Sequence, residues 1–316
     1  MAPEIVTLRD AQTGSSAKVL VGFGFNCFSF SARVADEPIE VLWATPSFEA
    51  GTQRPSGSGI PVLFPFPGRL RGRQLHYHGH SYEIGDQEDK HGNAIHGYVF
   101  NRPWKVIEAQ PQRVVGEFHA GSQAPEVLKK WPADFRLTMS YELRGNTLRS
   151  EITVSNPDDK PLPFGLGTHP YFRVPLGAGG VADECRIQVP AHEYWVMDQM
   201  LPTGERRPAE GELGLAGGLP FASTSLDHVF GGLEASGDMV RTSIADPSTG
   251  RKLTQTFDRS FSACVVYNPP HRQAICIEPY SCIPDTYALT SRGQDAGLRI
   301  LPPGASHRAT IEICLE

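Results

Sequence analysis

Short runs in which apolar and polar residues alternate recur along most of the chain, separated by Gly, Pro, Asn, Asp and Ser. A period of two is typical of half-buried β-strands. The runs lie at residues 4–8, 17–21, 25–34, 39–43, 74–84 (as a hairpin), 104–116, 135–143, 147–155, 186–189, 193–197, 239–244, 252–257, 263–267, 274–280, 298–301 and 309–315. Only one helix is predicted, a short one from Pro125 to Trp131. We therefore predict an all-β protein, one large antiparallel β-sandwich that occupies residues 1–316 as a single domain.

The segments between these runs are predicted to be loops, and functional residues are expected on them and at strand ends. The main loops are residues 46–60, 90–104, 176–184 and 201–221. Residues 59–70 carry Pro61, Pro65 and Pro67, which cannot occupy a central strand because they lack a backbone N–H. An ordered, irregular loop is expected there, with Phe64 and Phe66 forming the wall of a cleft.

The charge of the chain argues against several classes of partner. The net charge is −6 and there is no basic tail, so nucleic acid is not expected as a partner. No run approaches the ~18 apolar residues of a membrane span, and residues 1–10 lack the apolar core of a signal peptide. We expect a cytoplasmic protein that binds no membrane.

The six cysteines form no C-x-x-C pair and have no zinc-site spacing. Most of them lie in apolar contexts, as Cys264 and Cys276 do. They are predicted to be buried free thiols in a reducing compartment.

Residues 164–172 (FGLGTHPYF) place a single histidine, His169, between glycines and aromatic residues. Gly165 and Gly167 allow close backbone approach or positive φ, and Pro170 restricts the backbone before it. Tyr171 offers a flat apolar surface that suits the face of a sugar ring. Because a histidine titrates near neutral pH, one held in an aromatic pocket can be a general acid or base. A core histidine in an aromatic strand remains the alternative.

A second candidate is Glu278, which ends the apolar run 274–277. A carboxyl group at such a position is costly to bury without partners, and burial raises its pKa towards neutral pH, where it becomes a better base. An exposed strand-end glutamate is the alternative. Arg69, His96 and Asp227 are weaker candidates for binding sugar hydroxyls.

Five segments, taken together, resemble one family, the aldose 1-epimerases or galactose mutarotases. They are residues 59–70 (GIPVLFPFPGRL), His96-Gly97 followed by 102–104 (RPW), 167–172 (GTHPYF), 226–230 (LDHVF) and 277–280 (IEPY). They occur in the family's order and spread over most of the chain.

The resemblance implies a galactose mutarotase-like supersandwich with a sugar cleft across one sheet. It implies that Glu278 is the general base for the anomeric hydroxyl and that His169 is the general acid for the ring oxygen. Arg69, His96 and Asp227 would then bind the sugar, and neither a cofactor nor a metal is implied. The mechanism requires an ionised Glu278 and a protonated His169, which we expect on opposite sides of one acetal carbon.

The chain departs from the family at two places. Gly68 stands before Arg69, where the family often has Asn, and this leaves the sugar preference open. A second His-Gly pair precedes His96, so His91 is a possible additional ligand. Whether the protein is a monomer or a homodimer is left open.

Three other functions are compatible with the sequence. His76, His78 and His80 would share one strand face and, with Glu83, could form a metal site of a cupin-like protein. In a hexose-phosphate 1-epimerase, Arg69 together with the two arginines that follow it at positions 71 and 73 would bind a phosphate. The third is a non-catalytic carbohydrate-binding sandwich, because fold does not fix function.

Overall fold

The structure, a computed structural model, describes residues 4–316 and consists mainly of strands. In chain order they are β1 (Ile5–Arg9), β2 (Ser16–Leu20), β3 (Asn26–Val34), β4 (Glu37–Glu40), β5 (Val62–Leu63), β6 (Arg69–Leu70), β7 (Gln74–Tyr77), β8 (His80–Glu83), β9 (Ala94–Ile95), β10 (Lys105–Gln110), β11 (Arg113–His119), β12 (Arg136–Arg144), β13 (Thr147–Ser155) and β14 (Leu162–Phe164). They continue with β15 (Gly167–Thr168), β16 (Tyr171–Arg173), β17 (Arg186–Gln188), β18 (Ala191–Asp198), β19 (Leu201–Pro208), β20 (Leu219–Pro220), β21 (Asp227–Leu233), β22 (Ala235–Ser236), β23 (Met239–Asp246), β24 (Arg251–Asp258), β25 (Ala263–Tyr267), β26 (Ala274–Tyr280), β27 (Arg299–Leu301) and β28 (Ser306–Leu315).

Helices are short. The α-helices are α1 (Ala120–Gln123) and α2 (Thr286–Ser291), and 3₁₀ turns lie at Phe48–Ala50, Pro125–Lys129, Ala182–Glu184, Gly211–Leu213, Leu215–Gly217 and Phe221–Ser223. Within residues 4–316, none of the helices has the length and apolar character needed to cross a bilayer.

Two large antiparallel sheets form the body of the fold. One has ten strands in the order β10-β11-β12-β13-β28-β24-β23-β17-β20, with β22 beside β23. The other has eight strands in the order β19-β18-β21-β25-β26-β15-β5, with β16 also paired to β26. A four-stranded sheet, β1-β2-β3-β4, and three two-stranded ladders complete the fold. The all-β antiparallel prediction is therefore confirmed.

Strand β26 shows how the sandwich positions a site. Ile275 and Ile277 point into the core shared with the ten-stranded sheet, and the Gln255 side chain donates a hydrogen bond to the Ile277 carbonyl across the two sheets. Because side chains alternate along a strand, Cys276 and Glu278 point to the other face of the eight-stranded sheet. That outer face carries the cavity described below.

Three predicted elements were wrong in detail. Residues 104–116 form the β10–β11 hairpin, because Pro111 lies in a turn between two strands. Part of the predicted loop 201–221 is β19, an edge strand, where prolines are tolerated. The helix expected over 125–131 is a 3₁₀ turn, and α2 was missed because six residues are too few to show a helical period.

Candidate active site

A buried carboxylate lies at the base of a cavity on the outer face of the eight-stranded sheet. Glu278, near the end of β26, is only 1% exposed. Its Oε2 accepts a hydrogen bond of 2.8 Å from the Tyr280 hydroxyl, which comes from the same strand face. The central position of β26, paired to β25, β15 and β16, fixes the carboxylate in place.

His169 lies directly beside this carboxylate, in the link between β15 and β16. Its backbone N–H donates to the Pro61 carbonyl at 3.0 Å, and its ring stacks on Tyr171 with 4.8 Å between ring centroids and an interplanar angle of 3°. Its Nε2 is 3.3 Å from Oε1 of Glu278, whereas its buried Nδ1 has no hydrogen-bond partner within residues 4–316. The two groups therefore lie side by side. The expectation from the sequence was that they lie on opposite sides of the acetal carbon of a sugar.

Gly167 makes this arrangement possible through close approach. A Cβ atom at this position would lie 2.7 Å from Cδ1 of Tyr280 and 2.7 Å from Cβ of Pro67, which is too close for any side chain. The sequence left two roles open for this glycine, a positive φ angle or close backbone approach. Its φ angle is not positive, so close approach is its role here. Gly167 thus lets β15 pack against the strand that carries Glu278.

Burial sets the protonation of the pair. Desolvation lowers the pKa of His169 to about 3, and the cations of Arg54 and Arg69 act in the same direction. Desolvation raises the pKa of Glu278 well above its usual value, although the Tyr280 hydroxyl opposes this shift. Both shifts favour the uncharged forms, a neutral imidazole and a protonated carboxyl. The neutral pair has the same number of protons as the ionised Glu278 and protonated His169 that the mechanism requires. Transfer of one proton across the 3.3 Å between the two groups converts one form into the other.

The space above the pair consists of two adjoining cavities. The inner one, about 200 Å³ in volume, contacts His169 and Glu278, and the outer one, about 500 Å³, leads away from them. Seven residues line both cavities: Arg54, Ser56, Arg69, Ile95, His96, Met200 and Asp227. The site therefore extends beyond the space that the acid-base pair itself faces.

The three weaker candidates are brought together around this space. Arg69 on β6 forms an ion pair with Asp89, with 2.8 Å between Nε and Oδ2. His96, buried and at positive φ after β9, presents its ring edge-on to His169 at 5.8 Å between centroids. Asp227 begins β21 and is exposed at the mouth, so it can accept hydrogen bonds from a ligand.

Of the two remaining candidate binding residues, Tyr171 lies in the site and His91 does not. Tyr171 lines the inner cavity, and its hydroxyl donates to the Ser56 carbonyl at 2.9 Å, which ties the 46–60 loop to the site. His91 is exposed in a turn and lines neither cavity; its backbone N–H donates to Asp89. The structure therefore does not bring His91 into the site.

The histidines expected to form a metal site do not share a strand face. Strand β7 ends at Tyr77 and β8 begins at His80, so His78 lies in the hairpin turn at positive φ. The His76 ring is hydrogen-bonded to the Ser81 hydroxyl at 2.8 Å. The prediction of one shared face was wrong because the turn reverses the chain between these residues.

The arginines proposed for phosphate binding are paired with carboxylates. Arg71 contacts Asp285 at 3.3 Å, and Arg73 contacts Glu83 at 3.5 Å and Glu88 at 3.6 Å. Neither arginine lines the two cavities. Phe64 and Phe66 are also absent from the cavity walls, because both are buried in the sandwich core.

Sequence reasoning missed Arg54 and Met200, which line both cavities. Arg54 lies in the 46–60 loop and Met200 in the turn between β18 and β19. Neither segment has a periodic pattern or a motif that would have singled them out. The only indication in the sequence was that the loop carrying Arg54, residues 46–60, leads directly into the family segment at residues 59–70.

Comparisons with known proteins identify the family of this chain. Residues 9–314 match the model of the aldose 1-epimerase family, and the chain belongs to that family. Among its relatives is the uncharacterized protein YihR of Escherichia coli K12, 27% identical over 255 residues that make up 80% of this chain and 77% of YihR. Another is the uncharacterized protein YphB of the same bacterium, 23% identical over 88% of this chain and 92% of YphB.

Solved structures share the fold. A galactose mutarotase-like protein from Clostridium acetobutylicum has a TM-score of 0.86 at 24% identity, covering 100% of this chain and 99% of that one. A putative aldose 1-epimerase from Escherichia coli K12 has a TM-score of 0.77 at 21% identity, with 99% of both chains covered. The fold is therefore the galactose mutarotase-like sandwich that the resemblance implied.

Proposed function

We propose that this protein is an aldose 1-epimerase that interconverts the α and β anomers of a free aldose by acid-base ring opening and closure. The observation that carries the proposal is the buried pair of His169 Nε2 and Glu278 Oε1, 3.3 Å apart at the base of an open cavity. The hydroxyl oxygen and the ring oxygen of a cyclic aldose are bonded to the same carbon. Two adjacent catalytic groups can therefore reach both oxygens from one side.

In the proposed reaction, Glu278 acts as the base and His169 as the acid. The Glu278 carboxylate removes the proton of the anomeric hydroxyl while the His169 imidazolium protonates the ring oxygen. The bond from the anomeric carbon to the ring oxygen breaks, which leaves an aldehyde and a new hydroxyl group. After rotation about the C1–C2 bond, the hydroxyl attacks the other face of the aldehyde, and both protons return to their original positions. Each positioned proton-transfer group typically contributes about 10²–10⁴-fold.

The surrounding residues support binding of a polyhydroxylated ligand. Arg69 supplies donors, Asp227 supplies acceptors, and His96 presents a ring whose Nδ1 is buried with no partner in the described chain. Burial favours the neutral form of the acid-base pair. A bound sugar can favour the ionised form, because its hydroxyl and ring oxygen hydrogen-bond to Glu278 and His169 respectively.

A sugar that carries a phosphate or another anionic group is the second candidate substrate. Two cations, Arg54 and Lys90, line the outer cavity and form no ion pair within residues 4–316. An anionic substituent in this cavity would be attracted by these cations and repelled by Glu88, Asp89 and Asp227, which line the same cavity. These residues replace the arginines at positions 71 and 73 in the phosphate-binding proposal.

The test is exchange spectroscopy on the anomeric proton signals of a panel of neutral aldoses and hexose phosphates, with and without the protein. Accelerated exchange of a neutral aldose supports the first proposal. Exchange restricted to a phosphorylated sugar supports the second, and Arg54→Gln and Lys90→Gln should then raise its KM. Binding without acceleration for any sugar would overturn both and indicate a carbohydrate-binding sandwich.

A further inference from the structure

A thiol lies next to the acid-base pair, and the proposed reaction does not use it. Cys276 precedes Glu278 by two residues on β26, so both side chains are on the same face of the strand. One ligand atom from each of Cys276, His169 and Glu278 lies within 4.8 Å of the other two, and all three residues are buried. No other group of three such side chains converges in the part of the chain that the structure covers.

The three donors match the ligand preferences of zinc. Thiolate sulfur, imidazole nitrogen and carboxylate oxygen bind Zn²⁺ at about 2.3, 2.0–2.1 and 2.0–2.2 Å respectively. In a tetrahedral site these bond lengths place donor atoms roughly 3.3–3.7 Å apart. The 3.3 Å between His169 Nε2 and Glu278 Oε1 already has this separation. The three donor atoms together lie within 4.8 Å of one another, so closure around an ion requires a small movement of the side chains.

Two further features point to a ligand at this place. His169 is more than nine-tenths buried, and its Nδ1 has no partner within residues 4–316, so no hydrogen bond opposes a small change of ring orientation. His169 and Glu278 both line the inner cavity, which gives an ion a path of entry. Cys276 lies behind them and lines neither cavity. An ion held by the three side chains would take its fourth ligand from the cavity side, as in zinc sites that accept an exogenous ligand.

We propose that Zn²⁺, or another divalent ion that prefers sulfur and nitrogen ligands, binds to His169, Cys276 and Glu278 and excludes sugar turnover while it is bound. Exclusion follows because two of the three ligands are the proposed acid and base, and this second part rests on the proposed function. The metal site itself rests on the donor geometry alone. The thiolate is the form of cysteine that binds the metal, so binding displaces the proton of the Cys276 thiol.

Cobalt(II) provides a readout that does not depend on activity. Wild-type protein titrated with Co²⁺ should develop a thiolate-to-cobalt charge-transfer band that saturates at one equivalent and disappears when Zn²⁺ is added. Cys276→Ala should lose the band, and Cys276→Ser, which preserves the side-chain volume, should lose it as well. The control is Cys264→Ala, because Cys264 is a buried thiol on the neighbouring strand that faces the core. It should keep the band.

Absence of the band in the wild type, or its persistence in both Cys276 variants, would overturn the site. Inhibition is then tested by anomer exchange with and without Zn²⁺. Zinc should inhibit wild type and Cys264→Ala but not Cys276→Ala, and equal inhibition of all three would overturn the mutual exclusion. If the cobalt band forms but no protein accelerates exchange, the metal site stands and the proposed epimerase activity is wrong. If exchange is accelerated and no cobalt band forms, the epimerase activity stands and the metal site is wrong.

Discussion

The hydroxyl of Tyr280 should control how readily Glu278 becomes ionised. It donates a buried hydrogen bond of 2.8 Å to Oε2 of that carboxylate and opposes the rise of its pKa. A hydrogen bond to a charged group contributes about 1.5–3 kcal/mol. Tyr280→Phe should therefore raise the pKa of Glu278 further.

The same change should slow anomer interconversion. The reactive form of the pair has an ionised Glu278 and a protonated His169, and loss of the hydrogen bond should reduce its population about 10–100-fold. We expect kcat/KM to fall by that factor. Its alkaline limb, which reports loss of the proton shared by the pair, should move to higher pH.

The assay is the pH dependence of kcat/KM, measured by exchange spectroscopy after subtraction of the uncatalysed rate. Tyr141→Phe is the matched control, because that hydroxyl is fully buried and has no hydrogen-bond partner within residues 4–316. Its profile should equal that of the wild type. If Tyr280→Phe left both kcat/KM and the alkaline limb unchanged, the hydrogen bond would have no part in tuning the base.

Three further predictions concern stability and substrate binding. Because the pKa of His169 is lowered to about 3, the folded state takes up its proton only at much lower pH than the unfolded state, and stability is lost as pH falls below the usual value near 6.5. As the pH falls, the free energy of unfolding of His169→Asn should therefore rise relative to that of the wild type by up to about 1.4 kcal/mol per pH unit, as measured by urea unfolding. Equal pH dependence of the unfolding free energy in the two proteins would contradict this. Gly167→Ala should cost roughly 1–3 kcal/mol because of overlap with the Tyr280 ring, and an unchanged unfolding midpoint would refute the close-approach argument. Tyr171→Phe removes the hydrogen bond to Ser56, worth about 1 kcal/mol, so KM should rise about fivefold with little change in kcat, and a fall in kcat alone would argue against a role in loop placement.

Much of the fold could be predicted from local pattern, because most strands are half-buried and alternate. Strand β13, for example, follows the predicted range 147–155 residue for residue. Failures occurred where tertiary position overrides local composition. Strand β19 contains two prolines and few apolar residues, and it is a strand because it lies at a sheet edge.

The candidate site was predictable where a motif fixes the backbone, and less so elsewhere. His169 and Glu278 stand in short segments whose glycines, prolines and apolar neighbours restrict their surroundings, and the fold brings them to 3.3 Å from each other. Arg54 lies in a loop of no distinctive pattern, and its position depends on contacts such as that of Tyr171 with Ser56. The raised pKa of Glu278 was expected from its place after an apolar run. The lowered pKa of His169 could not be read from sequence, because it depends on burial by strands distant in the chain.

The most direct test of the account compares wild type with Glu278→Gln, which keeps the shape of the side chain but removes the base. Anomer exchange would be measured for the aldose that the wild type accelerates most, and binding of the same sugar would be followed by calorimetry. We predict that Glu278→Gln still binds the sugar but loses at least about a hundredfold in exchange rate. Exchange at the wild-type rate in this variant would contradict the claim that the buried Glu278–His169 pair transfers the protons.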